Sequence, residues 1–340
     1  MQTLRIALAY DSRLQGEAGA VPIHDAIWET VNGIRQILEE RGHKLVHLPI
    51  RAPVDGLWRR IRELGADVIF NLAESIEGSS VAEWEVAQEM ERSGVPFTGC
   101  PSRALRLCLD KAKARELFSG DGLPVPPGRV MGTPDDPIDL RFPAIVKCNR
   151  EDASIGLDDG AVVWTEMELR TRVAWVLTEF QQPAIVEEFL DGREFNIAVA
   201  GSDPVVLPIS EIDFSTMPSE KPRFVSYKAK WAPESTEYKS TIPVCPAHIA
   251  EAQAQRLRRL ALRAFQLTGC QGYARVDVRM DSEGRPHILE INPNPDLSLD
   301  AGLARSLCAH GWSYGDFIEQ LTVWASEGKN GGAPDDRLLD

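Results

Sequence analysis

Positive charge is scarce in this 340-residue chain: 37 Lys and Arg stand against 51 Asp and Glu, a formal charge of −14 at pH 7. Such a balance argues against a nucleic-acid partner, because a phosphate backbone recruits basic surfaces. It leaves room for a nucleotide, which needs only a local cluster of cations. Paired cysteines are also lacking. Cys100, Cys108, Cys148, Cys245, Cys270 and Cys308 are scattered with no CxxC spacing, the usage of reduced thiols in a cytoplasmic protein rather than of a disulfide framework. Cys245 and Cys270 read as small buried hydrophobes. No apolar run approaches the ~18–20 residues that a membrane span requires. The first apolar stretch, Leu4–Tyr10, is too short for a secretory leader and reads as a strand. The expectation is a soluble, cytoplasmic chain with neither membrane nor nucleic acid as partner.

What is present is an ordinary globular composition, 43% apolar and 26% charged, long enough for two or three packed units. The first hundred residues alternate strand and helix signals: strands at Leu4–Tyr10, Lys44–Pro49 and Ala66–Asn71, helices at Ala26–Arg41, 54–64 and 79–93. That alternation predicts an α/β unit with a parallel sheet. The turn-rich Val95–Pro101 marks its end. A helix over Ser102–Gly120, strands Ala144–Cys148 and Ala184–Glu188 and a helix over 166–180 follow. Antiparallel strands come next, Phe195–Ala200 and Val205–Ile212, so the class is α/β followed by α+β. Asp213–Thr241 carries no clear pattern and reads as a long functional loop. Helix Ala247–Thr268, a hairpin over 273–291 and helix 313–326 close the chain. The units expected are 1–100, 101–190 and 191–326, with a flexible tail at 327–340.

The hairpin carries the chemistry. Two strand-like runs flank the turn Asp281–Gly284 in "YARVDVRMDSEGRPHILEINPNPD", and the pairing sets Asp277 opposite Glu290 and Arg275 opposite Asn292. Alternation puts these four on one face and Val276, Val278, Leu289 and Ile291 on the apolar other. Carboxylates directly opposite lie about 5 Å apart and repel by about 3 kcal/mol at an effective dielectric near 20. A raised pKa, the neighbouring Arg275 or a divalent cation would relieve this. Two carboxylates and an amide are hard oxygen ligands of the kind Mg²⁺ takes when phosphates complete its shell.

These residues resemble the metal-binding strands of the ATP-grasp superfamily, and most closely its D-alanine–D-alanine ligase branch. The likeness runs from about Val68 to Gln320, with motifs in the family's order. It implies an ATP-grasp fold: an N-terminal Rossmann-like parallel sheet and two α+β subdomains that clamp ATP. It further implies that Asp277, Glu290 and Asn292 hold two Mg²⁺ ions, replaceable by Mn²⁺, and that Arg275 supports the transferred phosphoryl group. "LDK" and "AIVKC" would set Lys111 and Lys147 on ATP phosphates, and Ser154 in "NREDASIGLDDG" would belong to the phosphate lid. In "IVEEFLDGREF", Glu187, Phe189 and Leu190 would read adenine and Glu194 the ribose, while Lys230 of "SYKAKW" would reach phosphate on closure.

The resemblance also has gaps. Where the family's lid carries two serines after a glycine, this chain has Asp152-Ala153-Ser154; Trp231 stands for a tyrosine, Ala301 for a serine and Asn71 for a histidine. The turn after the hairpin reads Asn292-Pro-Asn-Pro-Asp296 in place of Asn-x-x-Pro-Gly. The resemblance implies an ATP-dependent carboxylate–amine ligase acting on small molecules and, by the family's habit, a homodimer; these positions, with Asp296 and Asp300, imply an altered, amine-bearing substrate. An orthodox D-alanine–D-alanine ligase and a non-catalytic ATP-binding scaffold are the alternatives.

Overall fold

The computed structural model describes residues 3–15 and 22–328. Most of the tail expected to be flexible, from 329 onward, lies outside the described residues. The chain opens with β1 (Arg5–Asp11), α1 (Pro22–Glu40), β2 (Lys44–Ile50), α2 (Leu57–Leu64), β3 (Val68–Asn71) and α3 (Val81–Ser93). The strands form a parallel sheet in the order β2-β1-β3. Strand β1 is apolar on both faces because both are covered. Ile6, Leu8 and Tyr10 pack with Ile34 and Leu38 of α1, whereas Ala7 and Ala9 pack with Ile61 of α2 and Val86 of α3.

Next come α4 (Ser102–Leu109), α5 (Lys111–Gly120), β4 (Gly128–Met131), β5 (Ala144–Cys148), β6 (Val162–Val163), α6 (Glu166–Glu179) and β7 (Ala184–Glu188). An antiparallel sheet, β4-β7-β5-β6, is backed by α6 through Leu169, Val173 and Val176. The chain then adds β8 (Glu194–Ala200), β9 (Val205–Val206), β10 (Ser210–Asp213), α7 (Tyr227–Trp231), α8 (Thr236–Lys239) and β11 (Ile242–Val244). It ends with α9 (Glu251–Thr268), β12 (Tyr273–Met280), β13 (Pro286–Asn292), α10 (Gly302–His310) and α11 (Tyr314–Ser326). The largest sheet runs β11-β10-β8-β12-β13, with β9 beside β8.

The mixed class is the one expected from the sequence. Several elements differ. The helix expected over Ser102–Gly120 breaks at Asp110, which caps the second half by accepting from Lys113 N–H at 3.3 Å. From the two halves, Ala104, Leu105, Cys108, Ala114 and Phe118 pack into the core of the largest sheet with Phe265 and Ile288. The strand expected over Val205–Ile212 is interrupted around Pro208, which has no N–H for the ladder. The unpatterned Asp213–Thr241 holds α7 and α8, too short to show a period. Strands β6 and β11 and helix α10 add to the elements expected from the sequence. α11 docks against the first sheet, so that Phe317 and Ile318 share a core with Tyr10 and Phe70. Among the described residues no helix is long and apolar enough to cross a membrane.

Candidate active site

Strand β12 lies inside the largest sheet, between β8 and β13, which holds its side chains against two neighbours. Arg275 faces Asn292 and Asp277 faces Glu290 across the hairpin. This pairing is the expected one, reached by a different route. Met280 pairs with Pro286, a register that would set Asp277 against Leu289 if carried on unbroken. A bulge between Asp277 and Val278 absorbs one residue of β13 and brings Glu290 into place. Ile288 therefore takes the buried apolar position, at 1% exposure. Leu289, assigned above to the core face, is re-aimed by the bulge and lines a narrow cleft with Lys111, Lys147 and Glu187.

Arg275 grips Asp277 with both ends of its fork, Nε to Oδ1 at 2.7 Å and Nη2 to Oδ2 at 2.8 Å. Asn196 of β8, directly across the ladder, donates to the same Oδ1 at 2.8 Å. Glu290 is relieved separately. Burial pushes its carboxyl up, but Lys111, Lys230, Lys147 and Arg275 together outweigh burial and hold it down at about 2. The Asn292 side-chain oxygen accepts from Asn294 N–H at 2.9 Å. Asp277, Glu290 and Asn292 thus present a hard oxygen set. Among the described residues no group of three or more His, Cys, Asp or Glu could hold a metal, so a Mg²⁺ at these three oxygens would need phosphate oxygens to complete its shell.

The break at Asp110 puts Lys111 at the start of α5, whose first backbone N–H groups are taken by Asn149 and Asp110, so that the anion-facing group there is the Lys111 ammonium. Asn149 steadies the break, donating to Asp110 Oδ1 at 3.0 Å and accepting Ala112 N–H at 2.9 Å. Lys111 Nζ lies 3.3 Å from Glu290 and 3.4 Å from Asp152, and donates to the Glu151 carbonyl at 2.6 Å. Burial works against its charge, but Glu290 and Asp152 outweigh burial and raise its pKa. On β5, Lys147 Nζ donates to Glu187 Oε2 of β7 at 2.8 Å. Arg115, one turn beyond Lys111, takes Oε1 at 2.7 Å. Glu187 is 4% exposed, a buried carboxylate with a cation on each oxygen.

The lid is folded down onto α7. Ala153 and Ser154 adopt left-handed backbone, with φ of 54° and 61°, an uncommon conformation outside glycine. Ser154 Oγ donates to the Val225 carbonyl at 2.9 Å, Trp231 Nε1 to the Ala153 carbonyl at 3.0 Å, and Tyr227 N–H to the Leu157 carbonyl at 2.8 Å. Lys228 and Asp159 add an exposed ion pair at 2.8 Å. Lys230 is thereby carried inside. Burial lowers its pKa and Arg275 adds to the fall, against the pull of Glu290 and Asp277.

The connection from β7 to β8 passes close over the hairpin. A Cβ on Gly192 would lie 2.3 Å from the Met280 carbonyl oxygen, so glycine alone fits there. Phe189 meets Phe224 edge to face at 6.4 Å, Leu190 is half-buried, and Glu194 pairs with Arg279 at 2.5 Å. Burial, aided by Asp277, raises the Glu194 carboxyl against the pull of Arg279.

At the other end of Arg275, Asp296 closes its own turn by accepting from Ser298 N–H at 2.8 Å and Oγ–H at 2.6 Å. Asp300 is exposed before α10, and its side chain meets none of the other candidate residues among the described residues. Asn71 also turns inward on its own loop, accepting from Ala73 N–H at 3.1 Å. Tyr273 and Glu83 hold Asn294 between them, each at 2.8 Å. Glu74 stands at this end of the cleft, beside Asp296 and Arg275.

Of the supporting residues that sequence reasoning missed, Arg115 was within reach, four residues after Lys111 on one helix face. Asn196, Arg279 and Glu74 enter through β8 pairing, the turn end of the hairpin and the β3–α3 loop, which no local spacing reveals.

Comparison with known proteins gives the family and the fold. Residues 137–323, more than half of the chain, match the family described as D-ala D-ala ligase C-terminus. A D-alanine–D-alanine ligase of Mannheimia succiniciproducens is 30% identical over 272 residues, 78% of this chain and 81% of that protein. An uncharacterized protein, y4sG, of Sinorhizobium fredii is 35% identical over 257 residues, 75% of this chain and 73% of that one. The crystal structure of a D-alanine–D-alanine ligase from Bacillus anthracis complexed with ATP superposes with a TM-score of 0.73 at 20% identity, covering 96% of this chain and 98% of that one. The fold is therefore ATP-grasp, and the chain belongs to the D-alanine–D-alanine ligase family.

Proposed function

We propose that the chain is an ATP- and Mg²⁺-dependent carboxylate–amine ligase that forms an amide through an acyl phosphate, on a substrate pair other than two D-alanines. The observation that carries the reading is the convergence of Arg275, Asp277, Glu290 and Asn292 with Lys111 and Lys230 around one end of β12. A nucleotide-binding scaffold without turnover would have no need of Arg275 beside a complete set of oxygen ligands.

A substrate carboxylate oxygen attacks the γ-phosphorus of ATP, the bond to the bridging oxygen breaks, and ADP leaves. An amine nitrogen then attacks the acyl carbon, loses a proton, and phosphate departs. Lys111 and Lys147 hold phosphate oxygens, and Arg275 neutralises charge on the transferring group and on the oxyanion that follows. Lys230 and Ser154, brought in by α7 and the lid, close the site over the phosphates. Glu187, Phe189, Leu190 and Glu194 receive the adenosine. Mg²⁺ at Asp277, Glu290 and Asn292 supplies charge neutralisation on the phosphates when bound.

Acidic side chains at the far end of the cleft support the altered substrate. Glu74 and Asp296 both stand exposed at this end, and desolvation in the cleft together with Asp296 raises the Glu74 carboxyl against the pull of Arg275. An arriving ammonium group would be held by these two acidic side chains. Asp300 adds to this sign from the exposed turn, and Trp231 occupies the place of the family's orienting tyrosine. The reading is of a cytoplasmic homodimer acting on amino-acid-like small molecules. Ligation of D-alanine to itself is the second reading, favoured by the names of the curated relatives. Incubation with ATP, Mg²⁺ and pools of amino acids and amines, followed by ADP release and mass spectrometry of new amides, decides among them. Accumulation of D-alanyl-D-alanine from D-alanine alone sinks the altered substrate, and no ADP from any pool sinks the ligase.

A further inference from the structure

Arg279 is a buried guanidinium that none of the steps above uses. It is 3% exposed, near the turn end of β12, two residues beyond Asp277. Nη1 holds Glu194 Oε2 at 2.5 Å and Nη2 donates to the Arg223 carbonyl, while the buried Nε has no hydrogen-bond partner. Its plane also meets the rings of Phe189 at 5.6 Å and Phe214 at 5.3 Å. A buried ion pair with an unsatisfied donor is a poor way to gain stability, and an apolar residue of similar volume commonly does as well. The arrangement of its partners suggests another purpose. Glu194 Oε1 accepts no bond among the described residues, and Arg223 stands four residues before α7, which carries Lys230.

We infer that Arg279 is a positioning residue for the nucleotide sugar: it fixes Glu194 by one oxygen so that the other accepts from a ribose hydroxyl, and it pins the root of the Lys230 segment to the same point. The inference rests on the nucleotide reading of the cleft. It commits the ligand to a ribonucleotide, with 2′-deoxy nucleotides discriminated against at this carboxylate. Arg279→Met would remove both bonds while filling the volume. Arg279→Lys would keep a charge near Glu194 but cannot serve both partners from a planar fork.

The test is equilibrium binding of ATP and 2′-deoxy-ATP with Mg²⁺, by calorimetry and without any carboxylate substrate. The unaltered protein should prefer ATP by roughly tenfold, the worth of one hydrogen bond to a charged group. In Arg279→Met the preference should fall to within about twofold, and Arg279→Lys should recover part of it. A simple packing role would weaken both nucleotides equally and leave their ratio alone. An unchanged ratio in a folded Arg279→Met protein, or in Arg279→Lys should the first not fold, overturns the inference and leaves the ligase reading standing. No nucleotide binding by the unaltered protein overturns both.

Discussion

Glu187 illustrates how single residues divide between stability and binding. Its two oxygens are taken by Arg115 at 2.7 Å and Lys147 at 2.8 Å, and all three side chains are largely buried. Removing one partner leaves a buried carboxylate short of charge, which costs more than the pair gains over an apolar replacement. Arg115→Met is therefore expected to destabilise by about 2 kcal/mol, somewhat less than a fully orphaned charge because Lys147 remains. Adding Glu187→Leu and Lys147→Met together should restore most of that stability, because no unpaired charge is then left in the cluster. Nucleotide affinity should not return with it, since the lysine proposed to face the phosphates would be gone. Denaturant unfolding and nucleotide titration of the single and triple variants separate the two effects. Recovery of both together would mean that neither Glu187 nor Lys147 has a part in the binding site.

At the scale of elements, the hairpin depends on its bulge. Without the extra residue the turn register would pair Asp277 with Leu289, and the expectation of an Asp277–Glu290 pair would fail. With it, Ile288 packs inward while Leu289 faces the cleft beside Lys147. Ile288→Ala should thus cost 2–5 kcal/mol of stability, as core truncations do. Leu289→Ala should leave thermal stability nearly unchanged and weaken ATP binding by about tenfold, part of the worth of a buried leucine. Equal loss of stability in both would place Leu289 in the core after all. The four polar residues of the hairpin were legible because period two is strict and their types differ from the apolar face. Leu289 was not, because a bulge breaks that period and leaves no mark in composition. Asp110 was hidden for a related reason: an aspartate inside an apolar helical pattern reads as a surface residue until Asn149 is seen to hold it. Helix α10 leaves no start signal in the sequence, because its N-cap is Ala301, which has no side-chain oxygen to offer the first turn.

At the scale of the whole molecule, the cleft is shared between separate sheets. Lys147 and Glu187 come from β5 and β7, Asp277 and Glu290 from β12 and β13, and Glu74 from the loop after β3. The lid is drawn to α7 by Ser154, Trp231 and Tyr227, so a nucleotide held there touches both antiparallel sheets at once. A ligand that binds only the folded chain stabilises it by about 2.7 kcal/mol at a hundred times its dissociation constant. On the proposed function, the carboxylates of Asp277 and Glu290 would make that gain depend on a divalent cation. Without one, the triphosphate would meet the Glu290 carboxylate, held down at about 2 by its lysines and Arg275. ATP with Mg²⁺ is expected to raise the melting temperature at least twice as far as the same ATP with excess EDTA. In Glu290→Gln one repelling charge and one ligand disappear together, so the two conditions should converge. An EDTA-insensitive shift in the unaltered protein would move the metal away from Asp277, Glu290 and Asn292, and would leave their clustering to Arg275 and Lys111 alone.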